Sequence, residues 1–310
     1  MGSDKYTIVY QAREMDMTDG GVYTEYLMSE DATVDDLPTD CRYSSLAYNP
    51  YSNKIYMFCM GGTWLEPGTS GVEIVPWSTG TDEQIAAMVA ALDAGKITIA
   101  DTGWQIGDER EVTLAAIDGG DEFESQPEQT VTLVLMDSQH YDLTTPTAGG
   151  DTKDHFVVGL KEVLYEYGVM DSNSNVTWGT CFRRTWCNGA FRNAVPETLR
   201  ACFKQFQVPS CDTPDYSSYE TTDDYFALFA AKEVFGSLLP EGIEDELSQI
   251  AYYETQENWI KSDGYDNAPW WLRTIFSEGG ADGFICVNSD GDTGASTPDV
   301  DKGISPFGCI

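Results

Sequence analysis

Trp270-Trp271-Leu272-Arg273, then the interval Thr274 to Gly283, then Phe284-Ile285-Cys286-Val287: the rest of the chain is organised around this stretch. Its three adjacent large apolar side chains offer more area than a surface segment leaves in water, so we expect at least two of them in the core. Arg273 is expected where this strand emerges. In the segment Phe284 to Val287, successive side chains alternate between a deeper and a shallower face, which predicts another strand. Two buried strands therefore frame an interval of loop-like composition.

Polar residues follow the second predicted strand. Asn288-Ser-Asp-Gly291 is typical of a turn, because Asn and Asp tolerate positive φ and Gly adopts it without steric cost. Residues 292–302 are again rich in Asp, Ser, Thr, Gly and Ala, and the hydrophobic end Phe307 to Ile310 predicts a strand tied into a sheet. Loops between such strands can change without disturbing a core, so we expect recognition to reside there.

The composition is that of a folded, strongly acidic protein. Hydrophobic residues make up 41% of the 310, and 17 Lys and Arg stand against 52 Asp and Glu, which gives a formal net charge of −35. This charge would repel a phosphate backbone and argues against binding of nucleic acid. The length exceeds what one hydrophobic core usually serves, so two units are favoured.

Features typical of membrane, metal and disulfide proteins are sparse. The sequence has no apolar run long enough for a transmembrane helix, and Met1-Gly-Ser-Asp-Lys-Tyr6 lacks the regions of a secretion signal. We therefore expect synthesis in a cytoplasm and no membrane insertion. The eight cysteines form no Cys-x-x-Cys pair, which favours buried free thiols. Two scattered histidines, His140 and His155, disfavour a histidine-based active site or metal centre.

Residues 1–72 are predicted to form a small β-rich first domain. Strands are expected at Ile8–Ala12 and Val22–Met28, and a hairpin at residues 44–60 is closed by Asn49-Pro-Tyr-Ser-Asn53. Pro67-Gly-Thr-Ser-Gly71 marks the boundary. A unit of this size has little core of its own, so we expect its stability to depend on neighbouring chains.

Residues 73–310 are predicted to form a second domain that mixes helices and strands. Thr81-Asp-Glu-Gln84 is a capping box, and the apolar stripe after it predicts a helix that Gly95 closes. Pro196 is expected to open a helix that reaches Phe206. Strands are predicted at residues 96–100, 110–116, 130–136 and 155–160, and a strand passing into a short helix at 225–236.

Basic residues cluster in one part of this acidic chain: Arg183, Arg184, Arg192, Arg200 and Lys204. They indicate either an anion-binding patch or internal pairing with nearby carboxylates. The abundance of Asp and Glu favours internal pairing.

The first domain resembles a small β module found at the front of tailed-phage virion proteins, especially head-fibre proteins. The resemblance is carried by Leu27-Met-Ser-Glu-Asp-Ala-Thr-Val-Asp-Asp-Leu-Pro-Thr-Asp40, by Lys54-Ile-Tyr-Met-Phe58 and by Gly62-Thr-Trp64. It implies attachment of residues 1–72 to other virion proteins.

The second domain resembles a domain family of gut bacteria and their phages over about residues 75–310. The motifs, in order, are Arg184-Thr-Trp-Cys-Asn-Gly-Ala-Phe-Arg-Asn-Ala194, Ala231-Lys-Glu-Val-Phe-Gly236, Tyr253 to Lys261, Trp270-Trp-Leu-Arg273, Val287-Asn-Ser-Asp-Gly291 and Gly303 to Ile310. That family resembles the C-type-lectin-like fold shared by phage tropism determinants and formylglycine-generating enzymes. Thr274-Ile-Phe276 stands where Ser-Pro is usual, which leaves the course of the first loop open.

The resemblance implies a fold class and a use for its loops. We expect an α+β protein: the small β-rich module, then a C-type-lectin-like mixed α/β domain with long irregular loops. In some relatives such loops are diversified by retroelements, and the composition of residues 274–302 is compatible with that.

A catalytic function is disfavoured. The related formylglycine-generating enzymes use a close pair of cysteines, whereas Cys286 and Cys309 lie on separate predicted strands. Carboxylates abound, as a glycosidase would require, but no pair has the apolar framing that raises one carboxyl pKa. We therefore expect a protein that is not an enzyme.

The segment Asn288 to Gly294 also resembles half of a calcium loop, because oxygen-bearing side chains alternate around a glycine. The closing Glu of an EF-hand is missing at the expected spacing, which favours a plain turn. We expect no cofactor, with calcium as the alternative.

The sequence therefore favours an adhesion protein on the virion surface, in the head fibre or tail, that binds a host-surface or mucosal glycan or protein. Fibre precedent suggests a homo-oligomer, specifically a trimer. The alternative is a purely structural capsid or tail decoration without a ligand. The candidate ligand-binding residues are Thr274, Phe276, Ser277, Glu278, Asp282, Phe284, Asp290, Asp292, Ser296, Thr297 and Asp299.

Overall fold

A computed structural model describes residues 5–12, 23–39, 45–52, 54–59, 63–65, 72–119, 124–148, 151–211, 218–236, 248–278 and 281–310. The chain divides into two compact units, residues 1–72 and 73–310. Helices and several small sheets make it a mixed α/β protein.

Unit 1 contains one five-stranded sheet. Its strands lie in the order β1-β2-β3-β4-β5, with β2 and β3 parallel and the other pairs antiparallel. Tyr26, Phe58 and Trp64 form an aromatic core on one face of this sheet, and the Trp64 indole donates to the Pro38 carbonyl at 2.8 Å. The strands are β1 Tyr6–Ala12, β2 Tyr23–Met28, β3 Leu46–Asn49, β4 Lys54–Cys59 and β5 Thr63–Leu65, with a 3-10 turn at Val34–Asp36.

The regular elements of unit 2 are short apart from one helix and three long strands. The described helices are α1 Asp82–Asp93, α2 Phe182–Trp186, α3 Arg192–Ala194, α4 Glu197–Arg200 and α5 Ala231–Phe235, with a π-helical turn at Cys187–Phe191 and 3-10 turns at Ile99–Thr102, Ala251–Glu254 and Gln256–Trp259. The strands are β6 Glu109–Leu114, β7 Gln129–Ser138, β8 Asp142–Leu143, β9 Phe156–Leu160, β10 Phe206–Cys211, β11 Tyr219–Asp224, β12 Lys261–Ser262, β13 Asn267–Ala268, β14 Trp270–Glu278, β15 Ala281–Val287, β16 Thr293–Ser296 and β17 Phe307–Cys309.

The helix α1 begins and ends as its sequence predicts. Thr81 accepts from the Gln84 amide, and the Gln84 side chain accepts from the Thr81 amide, which completes the capping box. Gly95 has a φ of 64°, and the amides of Gly95 and Lys96 donate to the carbonyls of Leu92 and Ala91. This left-handed C-terminal cap confirms that the helix closes at Gly95.

A four-stranded antiparallel sheet, in the order β17-β9-β7-β6, forms the main core of unit 2. All five residues of β9 are buried, and Val157 and Val158 pair with the C-terminal strand. The Ile310 amide donates to the Phe156 carbonyl, and the Phe156 amide donates to the Ile310 carbonyl, each at 3.0 Å. The predicted strands near residues 110, 130 and 155 and the tied C-terminal strand are therefore confirmed.

Three smaller sheets complete unit 2, in the orders β11-β10-β8, β12-β13 and β14-β15-β16. Strand β14 is linked to the C-terminal segment, because the Trp271 amide donates to the Gly303 carbonyl at 3.1 Å and the Gly303 amide donates to the Pro269 carbonyl at 2.8 Å. The third sheet is thereby anchored to the main core.

Three predictions of secondary structure were wrong. Residues 96–100 form no strand, because Thr98 and Asp101 make a local capping box that opens a 3-10 turn. The helix from Pro196 ends at Arg200, and Phe206 instead begins β10, which pairs with two neighbouring strands. The segment before α5 forms no strand, although the short helix predicted after it is confirmed as α5; this segment joins the core through the bridge of Ala227 with Phe307 and through the Phe229 carbonyl, which accepts from the Arg273 amide.

The basic cluster is used inside the fold. Arg184 pairs with buried Asp224 at 2.8 Å, Lys204 pairs with Asp93, and Arg183 donates to the Val169 carbonyl. Arg192 lies over the Tyr225 ring at 3.6 Å from its centroid. Internal pairing therefore explains most of this cluster.

The six described cysteines of unit 2 are buried. Five of them are free thiols: Cys181, Cys187, Cys202, Cys286 and Cys309. Burial raises the pKa of the Cys181 thiol to about 12. None of the described helices is long and apolar enough to cross a bilayer.

Candidate binding surface

The core beneath the candidate surface is built on two tryptophans. Trp270, Trp271 and Leu272 are fully buried, as predicted. The Trp270 indole donates to the Trp259 carbonyl and the Trp271 indole to the Gly168 carbonyl, each at 2.9 Å. Both polar indole groups are satisfied, so strand β14 fixes the segments that contain Trp259 and Gly168.

The side chain of Arg273 lies in the core, so the prediction that it marks where the strand emerges was wrong. Arg273 and Glu233 are both fully buried and paired at 2.7 and 2.8 Å. The guanidinium also donates to the carbonyls of Leu228 at 2.8 Å and Pro209 at 3.1 and 3.2 Å. A buried charge is tolerated here because its donors are matched by acceptors.

Glu233 links several elements through its carboxylate. It accepts from the Tyr141 hydroxyl at 2.7 Å and from the Ala230 amide at 2.8 Å. Burial alone would raise the pKa of Glu233, but the charge and hydrogen bonds of Arg273 and the His140 ring nitrogen 3.7 Å away outweigh burial and hold this pKa below its ordinary value. The carboxylate is charged and committed to protein partners, so it serves the fold.

The first predicted loop, Thr274 to Gly283, forms most of a β-hairpin instead. Strands β14 and β15 pair Phe276 with Gly283, Ser277 with Asp282 and Glu278 with Ala281. The side chains of Ser277, Glu278 and Asp282 lie outside the described residues. Backbone pairing across this interval overrides its loop-like composition.

Two of the predicted ligand-binding residues in this hairpin face the core. Thr274 is fully buried, and its hydroxyl accepts from the Ala231 amide at 2.8 Å. Phe284 is fully buried and packs edge-on against Trp271 at 6.4 Å. Contact of Thr274 or Phe284 with an external ligand was therefore a wrong prediction, while Phe276 is half-buried.

The second predicted segment lies at the surface. Asp290, Asp292, Thr297 and Asp299 are exposed, and Ser296 is half-buried at the end of β16. The neighbouring Ala295 is exposed as well. The sequence correctly places polar tips beside a buried tryptophan framework.

The turn before β16 is ordered by its own polar groups. The Gly291 amide donates to the Asn288 carbonyl at 2.9 Å, and Gly291 has a φ of 90°. The Asp290 carboxylate accepts from the Asp292 amide at 3.1 Å. This confirms the turn, and the described residues contain no group of three His, Cys, Asp or Glu arranged to hold a metal.

Pro298 anchors the last segment of this surface. Pro298 is buried, and its carbonyl accepts from the amides of Met170 at 2.8 Å and Asp171 at 3.1 Å. Lys302 forms a bridge with Gly168, and its ammonium lies 5.4 Å from the Trp271 ring centroid. Thr297 and Asp299 thus project from either side of an anchored residue.

The sequence reading missed Tyr265, which is 82% exposed at the tip between β12 and β13. The Asp263 carboxylate accepts from the amides of Tyr265 and Asp266 at 3.0 Å each and from the Tyr167 hydroxyl at 3.0 Å. Hydrogen bonds from the Asp266 and Tyr265 amides lower the pKa of Asp263. The available signal was Asp263-Gly264, a turn dipeptide, followed by one aromatic residue.

The Tyr265 hairpin lies next to the turn before β16. A Cβ built on Gly291 would come within 3.1 Å of the Ile260 side chain, and Ile260 directly precedes β12. We call residues 260–266 and 288–302 together the C-terminal surface. It carries six aspartates and two lysines, of which Lys261 is buried, so it disfavours anionic ligands.

These features define a mixed α/β protein in which a buried tryptophan and arginine framework supports short polar turns. Residues 153–310, which are 158 of the 310 residues, match the family described as Domain of unknown function (DUF6273). The chain belongs to this family. The match contains the C-terminal surface and the Arg273–Glu233 pair. Comparisons with curated proteins and with solved structures returned no match.

Proposed function

We propose that this protein is a phage virion adhesion protein, made in the host cytoplasm and displayed on the virion surface. Unit 2 presents the C-terminal surface to a host-surface or mucosal glycan or protein. Unit 1 attaches to other virion proteins, in a head fibre or a tail. The main support is the contrast between fully buried Trp270 and Trp271 and the exposed residues Asp290, Asp292, Ala295 and Thr297, which lie in or beside β16 of the same sheet.

For unit 2 we propose the C-type-lectin-like fold, with its surface turns as the diversified positions of a retroelement system. The motif resemblance between Arg184 and Ile310 supports this, as does the mixture of short helices, small sheets and long irregular connections. The buried framework would tolerate replacement of Thr297 or Asp299, because neither side chain contributes to the core.

We propose binding rather than catalysis at this surface. Tyr265 offers an exposed ring, on a turn that Asp263 fixes through the backbone, and this ring can stack on a sugar face. The exposed carboxylates of Asp290, Asp292 and Asp299 can accept hydrogen bonds from the hydroxyls of the sugar. Their negative charge favours neutral or basic ligands. Single sites of this kind are weak, so we propose that many copies on one virion, arranged as trimers, supply avidity.

A glycan array probed with the full-length chain tests the proposal. Tyr265→Ala and Asp299→Ala should each weaken binding by about tenfold, which corresponds to one lost stacking or hydrogen-bond contact. The matched control is Tyr51→Ala, which removes an exposed tyrosine of unit 1 and should leave binding unchanged.

Failure to bind any glycan, mucin or host-cell surface would instead support a structural decoration without a ligand. Binding that survives both surface substitutions would place the site elsewhere. Light scattering that shows a monomer would remove the trimer from the proposal. Calorimetry with calcium tests whether the Asn288 to Gly294 segment is a calcium site, because binding of the ion would release or absorb heat.

A further inference from the structure

The main sheet of unit 2 has two edges, and only one of them is covered by the chain itself. At the β17 edge, Ala227 and Phe307 exchange two backbone hydrogen bonds at 2.9 Å, and the Lys204 amide donates to the Cys309 carbonyl at 2.8 Å. Strand β6 forms the other edge, where β7 is its one neighbour in the sheets that the structure describes. An edge strand leaves every second residue with backbone groups open to another chain.

The hydrogen bonds around β6 show which of its residues point outward. The Leu135 amide donates to the Asp108 carbonyl at 3.0 Å, so residue 108 and then every second residue of β6 face β7. The Ala115 amide donates instead to the Ala194 carbonyl at 2.9 Å, on the opposite side. The residues between them that face outward are all exposed: Glu109, Glu111 and Thr113. Within the described residues, none of their outward amides and carbonyls has a hydrogen-bond partner.

Open space lies along this edge at both ends of β6. A surface cavity of about 420 Å³ is lined by residues 109–111 and, across from them, by Ser78 and Gly80. A second cavity, of about 340 Å³, is lined by Thr113 and by residues 193–197. The stretch from residue 109 to residue 113 is about 16 Å long, at about 3.3 Å per residue. The edge therefore has room for an added strand of about five residues.

The side chains at this edge favour a basic strand. Glu111 is exposed, and no ion-pair partner is found for it among the described residues. The neighbouring bases are already paired, Lys161 with Glu109 at 2.7 Å and Arg110 with Asp82. The charge that remains uncompensated along β6 is negative, so a Lys or Arg placed opposite Glu111 would stabilise the pairing.

A second copy of this chain suits the edge less well. Each copy carries a formal net charge of −35, so two copies repel each other. Pairing of two β6 strands would also bring both Glu111 side chains onto one face of the joined sheet. The charge therefore points to a partner of different composition.

We propose that β6 binds an extended segment of a partner protein in which Lys or Arg occupies every second position. The segment adds a fifth strand to the main sheet, and the outward amides and carbonyls of β6 supply up to about six hydrogen bonds. The basic side chains lie on the same face as Glu111. None of these residues belongs to the C-terminal surface, so this site goes beyond the proposed function and does not depend on it.

Fluorescence polarisation with the full-length chain tests the proposal. The probe is a fluorescein-labelled hexapeptide of alternating Lys and Val, and the same peptide with Glu in place of Lys should not bind. A strongly acidic chain attracts any basic peptide, so the backbone contacts need a separate test. Two further peptides are N-methylated at every Lys amide or at every Val amide, which removes donors without changing the charge. Only the peptide whose methylated residues face β6 should lose affinity, by about tenfold or more.

A matched pair of variants tests the edge from the protein side. Thr113→Pro removes an outward amide and places a ring on the edge without changing the charge, and an edge strand accepts proline where its N–H faces solvent. Thr113→Ala keeps the amide, and both variants lose the 3.1 Å contact with the Thr130 hydroxyl. Thr113→Pro should weaken binding about tenfold or more, whereas Thr113→Ala should change it less than about twofold.

The outcomes separate strand addition from attraction by charge. Loss of binding in folded Thr113→Pro but not in Thr113→Ala, with loss for one methylated peptide alone, supports the proposal. Equal binding of the two methylated peptides, unchanged binding in folded Thr113→Pro, or no binding of the Lys–Val peptide overturns it. If Thr113→Pro does not fold, the methylated peptides with the unaltered chain decide the question. Self-association that folded Thr113→Pro abolishes in analytical ultracentrifugation would assign the edge to a second copy and also overturn it.

Discussion

Replacing Glu233 with alanine should destabilise unit 2 by about 3–5 kcal/mol, because Arg273 would keep a buried charge without its carboxylate. The pair is fully buried, with contacts of 2.7 and 2.8 Å. The Tyr141 hydroxyl and the Ala230 amide would lose their acceptor as well, and each unsatisfied group costs about 1–3 kcal/mol before relaxation. For a unit of this size the melting temperature should fall by about 6–20 °C.

Urea denaturation followed by circular dichroism measures this effect, and Lys161→Ala is the matched control. Lys161 pairs with Glu109 at 2.7 Å, but both side chains are exposed, at 42% and 45%. Removing this pair should change stability by less than about 1 kcal/mol. A Glu233→Met, Arg273→Met double variant should cost less than Glu233→Ala, since it removes the uncompensated charge. Equal losses for Glu233→Ala and Lys161→Ala would refute the reasoning.

Three further predictions concern titration and backbone geometry. Burial lowers the pKa of His140, but the carboxylates of Asp137 and Glu233, 3.2 and 3.7 Å from its ring nitrogens, outweigh burial and raise this pKa. The stability that His140 contributes is therefore present below about pH 6.5 and is lost as pH rises through the folded pKa, so His140→Gln should cost most near pH 6 in urea titrations. Burial lowers the pKa of Lys261 to about 7, so stability should rise with pH above that value, and Lys261→Met should raise the melting temperature more at about pH 6 than at about pH 9. Gly291→Ala should cost about 1 kcal/mol or more of stability, because φ is 90° and the new methyl group meets Ile260. Gly107→Ala, with a φ of 94° and no atom within 4 Å, measures the cost of the backbone conformation alone. Equal melting temperatures for the two variants would exclude a steric cost from Ile260.

Local patterns predicted the elements whose causes are local. The capping box at Thr81 and the glycine at position 95 defined α1 because both ends depend on groups within a few residues. The alternation in β6 and the apolar run in β9 reported which faces are buried. The burial of Trp270 and Trp271 followed from side-chain area alone.

The failures depend on distant partners. Arg273 looks like a surface residue until Glu233, 40 positions earlier, provides its carboxylate. The segment 274–283 has the composition of a loop, and only its pairing with a neighbouring strand makes it a hairpin. Tyr265 was missed because an aromatic residue in a sequence predicts burial, whereas the Asp263 turn holds this one outward.

The buried cysteine thiols can report how often each part of unit 2 unfolds locally. Cys181 precedes α2, Cys187 begins the π-helical turn, Cys211 ends β10, and Cys286 and Cys309 lie in two different sheets. An alkylating reagent reaches each sulfur only when the surrounding structure separates, and the raised thiol pKa slows reaction further. Timed labelling read by mass spectrometry would therefore order the sheets of unit 2 by how often each one comes apart.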